Sequence, residues 1–240
     1  MSKISIVIPV LNEAANIKNL LNHLIENSFK ENIQDIIVVD GGSVDGTQNM
    51  VLDIFSQSEN TRTNIRLLTS EKGRAKQMNL GAKKANGNVL YFLHADSFPP
   101  KHFDKHILSE IKKGNNAGCF RMRFNSNHWW LKLAGYLTAL PIVASRGGDQ
   151  SLFITKKLFN EVGGYNEQFF IYEDNELIKK LYAKNKFVVI PKWLTTSARC
   201  YEKHGVWKTQ YHFWCIHLMR KLGASPKELT QYYKNNLVKS

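Results

Sequence analysis

Three short segments combine carboxylates with glycine or basic residues in a way that suits a phosphorylated ligand. Asp40-Gly41-Gly42-Ser43-Val44-Asp45-Gly46-Thr47 follows an apolar run and opens a helical pattern. Its glycines let backbone come close to a ligand, and free amides at a helix start attract an anion. A plain strand-to-helix turn capped by Ser43 or Asp45 accounts for the same letters. Neither GxGxxG nor GxxxxGK[ST] is present, which excludes the dinucleotide fingerprint and the P-loop. His94-Ala95-Asp96 ends a second apolar run. A carboxylate there suits Mg2+ or Mn2+, hard ions that take oxygen ligands and bind diphosphates. An isolated buried carboxylate is costly, which favours a functional Asp96. His94 reads as a second ligand or, as is commoner for a lone histidine, as a packed core residue. Glu173-Asp174 follows the aromatic run 169–172 and reads as an acidic helix start or as a general base at a crevice mouth. Gly147-Gly148-Asp149-Gln150 reads as a turn, or as a place where Asp149 and Gln150 meet acceptor hydroxyls.

These segments need elements to hold them. Residues 5–10, 35–40, 65–68 and 89–93 read as strands, the first, second and fourth continuous in apolar residues and therefore buried on both faces. Helical patterns at 14–26, 45–56 and 75–84 lie between them, the first with Ile17, Leu20, Leu21, Leu24 and Ile25 on one face. Such alternation predicts a mainly parallel sheet with right-handed crossovers. Ligands of such sheets bind outside the carboxyl ends of the strands, where Asp40 and Asp96 both fall. The second half predicts helices at 103–112, 129–140 and 174–183 and strands at 118–124 and 151–154. A further helix begins at 158–162 and stops at Gly163-Gly164, and a strand at 187–190 is ended by Pro191. No linker or repeat divides the chain.

With 240 residues, 43% apolar and 22% charged, the chain has enough apolar sequence for a sizeable core and too much for disorder. Cys119, Cys200 and Cys215 are odd in number and form no CxxC pair, so a disulfide framework or zinc ribbon is not expected and a reducing compartment is. The N-terminus runs straight into a strand without a signal-peptide pattern, and no apolar run reaches the roughly 20 residues of a membrane span. A cytoplasmic location follows as an expectation. A net charge of +13 points to an anionic partner: nucleic acid, a membrane surface or a phosphorylated small molecule. No helix-turn-helix, zinc-finger or RNP pattern is present, so specific nucleic-acid binding is not expected. Trp129, Trp130, Leu131, Leu133, Tyr136, Leu137 and Leu140, and then the basic-aromatic stretch 207–222, form stripes at helical spacing. They suit core packing, a homodimer contact or a helix lying peripherally in a membrane interface.

Taken in order, Pro9-Val10-Leu11-Asn12-Glu13, residues 38–47, Gly73-Arg74-Ala75-Lys76-Gln77-Met78-Asn79-Leu80-Gly81, Leu93-His94-Ala95-Asp96-Ser97 and Glu173-Asp174 resemble glycosyltransferase family 2. The likeness runs from about Ile4 to Lys180 and is strongest to a small single-domain bacterial branch. It implies a GT-A fold: an α/β nucleotide-binding sandwich with a mainly parallel, mixed central sheet flanked by helices. The implied organisation is one domain over 1–240. Within it, 1–100 is the nucleotide-sugar-binding half, 101–200 the acceptor half and 201–240 a C-terminal amphipathic helical segment. The implied activity is inverting, metal-dependent transfer of a sugar from a nucleoside-diphosphate donor, with UDP expected, to an acceptor hydroxyl. By the same resemblance, Asp40 reads the base and ribose, while Pro9, Asn12, Glu13, Gly42 and Ala95 line the donor pocket. Arg74 lies near the base and diphosphate, Asp96 holds Mg2+ or Mn2+, and Asp174 or its neighbour Glu173 is the base.

Two departures stand out. His94 replaces the first carboxylate of the family's DXD motif, which leaves the choice of metal open. The QxxRW motif of processive synthases is missing, with Arg199-Cys200-Tyr201-Glu202-Lys203-His204-Gly205-Val206-Trp207 in its place, so processive polymer synthesis is not expected. Arg199, Lys203 and His204 are candidates for the diphosphate, and His204 also for the metal. The acceptor is open, a lipid-linked molecule at the inner face of the membrane being one candidate. A sugar nucleotidyltransferase on a similar fold and a non-catalytic nucleotide-binding protein are the alternative readings.

Overall fold

The apolar runs of the N-terminal half become adjacent parallel strands in the computed structural model, which describes residues 2–58, 64–147, 150–184 and 187–238. Strand β1 (Ile4–Val10) is buried along its whole length. It lies beside β2 (Ile33–Asp40), which in turn carries β3 (Ile65–Thr69) on its outer side; β4 (Val89–Phe92) pairs with the other side of β1. Strand alternation divides the core between the two faces of the sheet. Ile6, Ile8, Val38 and Tyr91 belong to one cluster, and Val7, Ile37, Val39 and Leu90 to the other. Helix α1 (Ala14–Glu26) buries Ile17, Leu20, Leu21 and Leu24, as its spacing predicts. Helix α2 (Thr47–Ser58) follows β2, and α3 (Arg74–Lys84) follows β3. Helix α3 sits unusually close to β1. A Cβ on Gly81 would lie 2.3 Å from Val7 Cγ1, so only glycine fits there.

The second half adds β5 (Ser97–Phe98), α4 (Phe103–Lys112), β6 (Ala117–Phe124), α5 (Trp129–Leu137), β7 (Leu152–Thr155), α6 (Lys156–Glu161), α7 (Glu173–Ala183) and β8 (Phe187–Thr196). Helices α8 (Arg199–His204), α9 (Val206–Lys221) and α10 (Pro226–Tyr233) complete the order, the last opened by a Ser225–Glu228 capping box. All eight strands form one sheet in the order β3-β2-β1-β4-β7-β6-β8-β5. Only β7 and β5 run against the rest. The carboxyl ends of β1, β2, β4 and β8 therefore open on the same edge of the sheet.

Of the boundaries that differ from the sequence expectation, three have a local physical cause. Strand β8 does not stop at Pro191 but runs on to Thr196. Its pairing with β6 shifts between Phe120 and Arg121, so that Ile190 faces Phe120 and Trp193 faces Arg121. Pro191 and Lys192 fall in the resulting bulge, where a missing N–H costs no ladder bond. Helix α5 ends at Leu137, and 138–140 continue as tighter turns before Pro141, which disfavours helix at the residue before it. Helix α6 opens earlier, at Lys156, because Thr155 caps it by accepting a hydrogen bond from the Leu158 N–H.

Candidate active site

The turns after β1 and β2 are stitched to each other. Asn12 adopts a left-handed φ of 56°, a conformation asparagine tolerates better than most residues. Its N–H donates to Ser43 Oγ at 2.8 Å, and its Oδ1 accepts from the Val44 N–H at 2.9 Å. The Glu13 N–H donates to Thr47 Oγ1, and the Ala14 N–H to Asp45 Oδ2. Asp40, fully buried at the end of β2, accepts from the Gly42 and Ser43 N–H groups at 3.0 Å and from Gln48 Nε2 at 2.7 Å. Burial by itself would raise its pKa. The hydrogen bonds from Ser43, Gln48 and Gly42 outweigh burial and bring it below the ordinary aspartate value. Asp40 is thus an ionised acceptor held rigidly at the strand end.

Helix α3 ties this rim to the rest of the crevice. Gln77 is buried, and its Nε2 donates to Val10 O at 2.8 Å and Val39 O at 2.7 Å, the last carbonyl of β1 and the next-to-last of β2. One face further on, Asn79 holds the chain around Tyr165. Its Nδ2 donates to Tyr165 O and Glu167 Oε1, and its Oδ1 accepts from the Tyr165 N–H. Arg74, the first residue of α3, places Nε 2.6 Å from Glu173 Oε1. The contact is an ion pair rather than a well-aligned hydrogen bond. Gln77 and Asn79 lie within the Gly73–Gly81 motif, but the sequence alone assigns them no task. The available signal was a glutamine one turn before Gly81, the glycine that packs against β1.

A second junction forms where β8 ends. The Arg199 guanidinium binds both oxygens of Glu13, with NH1 at 2.9 Å from Oε2 and NH2 on Oε1, while its Nε stands 3.2 Å from Asp96 Oδ2. The turn carrying Asp96 is locked to the turn carrying Arg199 by a buried Ser97–Thr196 hydroxyl pair at 2.9 Å and by the Ser197 N–H on Asp96 O. Two carboxylates against one guanidinium leave this trio anionic. Among the described residues no three His, Cys, Asp or Glu side chains gather as a metal cage. Mg2+ is usually held by one or two carboxylates plus substrate phosphates, and an anionic trio presenting Asp96 fits that mode.

Glu173 and Asp174 open α7 beneath the αL residue Tyr172. Glu173 is fully buried, and Asp174 is 5% exposed. Tyr165 lies beside them. Burial, then the charges of Asp174 and Glu173, push its phenol far above the ordinary tyrosine value, so it keeps its proton.

The remaining expected positions fall as follows. Pro9 is buried near the end of β1, past the last residue that β4 pairs, so its missing N–H costs no bond on that side. Gly42 has a φ of 93°, which favours glycine. Ala95 is buried and His94 half-buried beside Asp96. Lys203 and His204 close α8, four and five residues after Arg199, the first exposed and the second half-buried. Gln150 is buried with Oε1 3.9 Å from Cys119 Sγ, and Asp149 lies outside the described residues. The structure thus brings Asn12, Glu13, Asp40, Asp96 and Arg199 to one rim and links Arg74 to Glu173. Among the described residues, Gln150 Oε1 meets Cys119 rather than that rim, and its buried Nε2 has no hydrogen-bond partner.

Comparison with known proteins places the chain in a family. The sequence profile of Glycosyl transferase family 2 matches residues 5–170. An undecaprenyl-phosphate 4-deoxy-4-formamido-L-arabinose transferase of Proteus mirabilis is 24% identical over 200 residues, 83% of this chain and 57% of that protein. Among solved structures, the mannosyltransferase PcManGT from Pyrobaculum calidifontis with GDP-Man and Mn2+ has a TM-score of 0.70 at 17% identity, covering 99% of this chain and 68% of the other. S. aureus TarS 1-349 with UDP has a TM-score of 0.67 at 21% identity, covering 82% and 60%. The chain spans 35% to 57% of the length of the first curated relatives it matches. Both structures share the GT-A fold, a curled sheet flanked by helices, with this protein. The matched span takes in the rim from β1 through Asp40, Arg74 and Asp96, and on these grounds the chain belongs to glycosyl transferase family 2.

Proposed function

We propose that this protein is a glycosyltransferase that moves a sugar, with inversion, from a nucleoside-diphosphate donor to an acceptor hydroxyl. One observation carries the reading. Three separate carboxylate stations, Asp40, Glu13–Arg199–Asp96 and Arg74–Glu173–Asp174, converge on one edge of the sheet. In open α/β sheets that edge is where ligands bind. Asp40 is the acceptor for the nucleoside, since an ionised, rigid carboxylate suits hydroxyl and N–H donors. Asp96 would hold a divalent ion, which when bound supplies positive charge for the departing diphosphate. Arg199 and Arg74 add fixed cations on either side of the diphosphate path.

Asp174 acts as the base. Glu173 is committed to Arg74 and has no exposed surface, whereas Asp174 retains a small opening. The acceptor O–H gives its proton to the Asp174 carboxylate as its oxygen bonds to the anomeric carbon. The bond from that carbon to the diphosphate breaks, and its electron pair leaves with the diphosphate. Attack opposite the leaving group inverts the centre. The protonated phenol of Tyr165 keeps a neutral neighbour beside the base as it takes up the proton.

We take the whole chain as one transferase domain, with 1–100 forming the donor half, 101–200 the acceptor half and 201–240 a helical appendage. UDP is the first donor base to test and GDP the second, because the structural neighbours carry UDP and GDP-mannose. The Proteus relative is named for an undecaprenyl-phosphate transfer, which supports a lipid-linked acceptor met at the cytoplasmic face of a membrane. The test is thermal stabilisation by nucleoside diphosphates with and without Mn2+ or Mg2+, because a ligand of the folded state raises the melting temperature. A metal-dependent shift with one diphosphate is expected. Asp174→Asn should keep that shift and lose transfer. Normal turnover in this variant would move the base role to Glu173.

A further inference from the structure

Large apolar side chains left in water are not spread evenly over the molecule. Of sixteen that are exposed among the described residues, eleven lie in 129–142 or 207–222. Helix α9 is apolar on both sides. Its inner side seats Ile216 and Phe213 against Phe169 and Leu229. Its outer side presents Trp207, Tyr211, Trp214 and Leu218, at 53%, 59%, 51% and 56% exposure. Their spacing of four, three and four residues places them in one line. Helix α5 carries a matching line of Trp129, Leu133 and Tyr136. The two lines meet edge to edge. Trp207 stands 5.8 Å from Trp129 and 5.5 Å from Trp130, and Trp130 stands 5.9 Å from Trp214, by ring centroids. An apolar surface this continuous on one side of a molecule marks a contact with something else.

The charges choose the occupant. Residues 129–142 and 206–223 contain no aspartate or glutamate. Lys132, Lys208 and Lys221 are exposed beside the aromatic lines. A symmetric pairing of two copies through this face would bring these lysines toward their counterparts with no carboxylate on either helix to neutralise them. An anionic lipid surface answers both features. Indole and phenol rings settle at the boundary between headgroups and acyl chains, and lysines snorkel to lipid phosphates. No helix among the described residues is long and apolar enough to cross a membrane, so the contact is one of lying on the surface.

We infer that α5 and α9 together form a docking face for an anionic bilayer, with the donor crevice held next to it. Helix α8 connects the two directly. Arg199, its first residue, bridges Glu13 and Asp96, and Gln210 of α9 accepts from Trp130 Nε1 at 3.0 Å. A docked molecule therefore brings its crevice to within the length of a short helix of the lipid surface. The inference deepens the lipid-acceptor reading above, but docking needs neither donor nor transfer and is tested without them.

The experiment is co-sedimentation of the full chain with vesicles of phosphatidylcholine, with and without phosphatidylglycerol, followed by tryptophan quenching with brominated lipids. Binding to the anionic vesicles with quenching is expected. Binding should fall at least about tenfold in Trp207→Gln/Trp214→Gln, which removes two buried-on-docking rings. It should fall roughly a hundredfold in Lys132→Gln/Lys208→Gln/Lys221→Gln. All these side chains are exposed, and Phe55→Gln, an exposed apolar residue off this face, should bind as the wild type does. Absence of vesicle binding overturns the inference. So does a concentration-dependent dimer in sedimentation velocity that Trp207→Gln/Trp214→Gln abolishes, since that outcome assigns the face to a second copy. Diphosphate-induced stabilisation measured on the same samples reports separately on the transferase reading.

Discussion

Gln77→Met tests whether one buried amide anchors the donor rim. The glutamine Nε2 donates to Val10 O at 2.8 Å and Val39 O at 2.7 Å. Methionine keeps the length and most of the volume, so no large cavity opens and the loss is almost wholly polar. Val10 O retains the Gly41 N–H at 2.9 Å, so it is not orphaned by the change. Each lost bond is worth about 1 kcal/mol net, giving about 2 kcal/mol for the pair. For a chain of this size that is a fall of roughly 4–8 °C in Tm. A second effect is expected because Asn12 and Glu13 on the turn after β1, and Asp40 at the end of β2, follow directly on those carbonyls. Once the shared anchor is gone, nucleoside-diphosphate affinity should weaken along with stability. The assays are thermal melts and urea titrations of both proteins, and calorimetric titration with the diphosphate that stabilises the wild type. A Tm within about 1 °C of wild type, with unchanged affinity, would refute the anchoring role.

Other substitutions probe the remaining joints. Gly81→Ala places a methyl 2.3 Å from Val7 Cγ1 on a fully buried, β-branched neighbour, so α3 must shift from β1 at a cost of about 1–3 kcal/mol, read as a lower urea midpoint. Asp40 has a folded-state pKa below its ordinary value, so its stabilising effect is complete above the ordinary aspartate range and is lost as pH falls through the folded value. Asp40→Asn should therefore be less stable than wild type at neutral pH, with the gap closing on acidification; a gap independent of pH contradicts the hydrogen-bonded carboxylate. Arg199→Ala should change stability by less than about 1 kcal/mol, because the side chain is half exposed. It should nevertheless weaken diphosphate binding by roughly tenfold, as expected for a lost charge-assisted contact.

The donor half was legible because its signals are local. Each of β1, β2 and β4 is a continuous apolar run that stops at a polar turn, and the rule that ligands gather at carboxyl strand ends singled out Asp40 and Asp96 directly. What escaped sequence reading depends on partners far along the chain. Arg199 and Glu13 are each legible as candidates, but not their pairing: they lie 186 residues apart, and the shared polarity of β8 and β1 brings them to the same edge. Strand β5 has two residues and is defined by its pairing with Thr195 and Thr196 rather than by any pattern of its own. Gln77 looked like one more polar residue of a helix, because its task is set by two carbonyls that approach from different strands. Helix propensity and periodicity report on neighbours three and four residues away, and none of these contacts is of that kind.

The bulge at Pro191 has a consequence for solubility. Beyond the two residues covered by β5, the outer side of β8 is a sheet margin among the described residues. A margin of that length offers unpaired amides and carbonyls to any extended chain that meets it in the cell. Proline removes one of the donors, the exposed Lys192 beside it adds a charge, and the bulge twists the strand away from the flat shape that a foreign strand needs. The residue that looks like a strand terminator thus guards a strand that continues past it, and keeps the open side of the sheet from recruiting further copies.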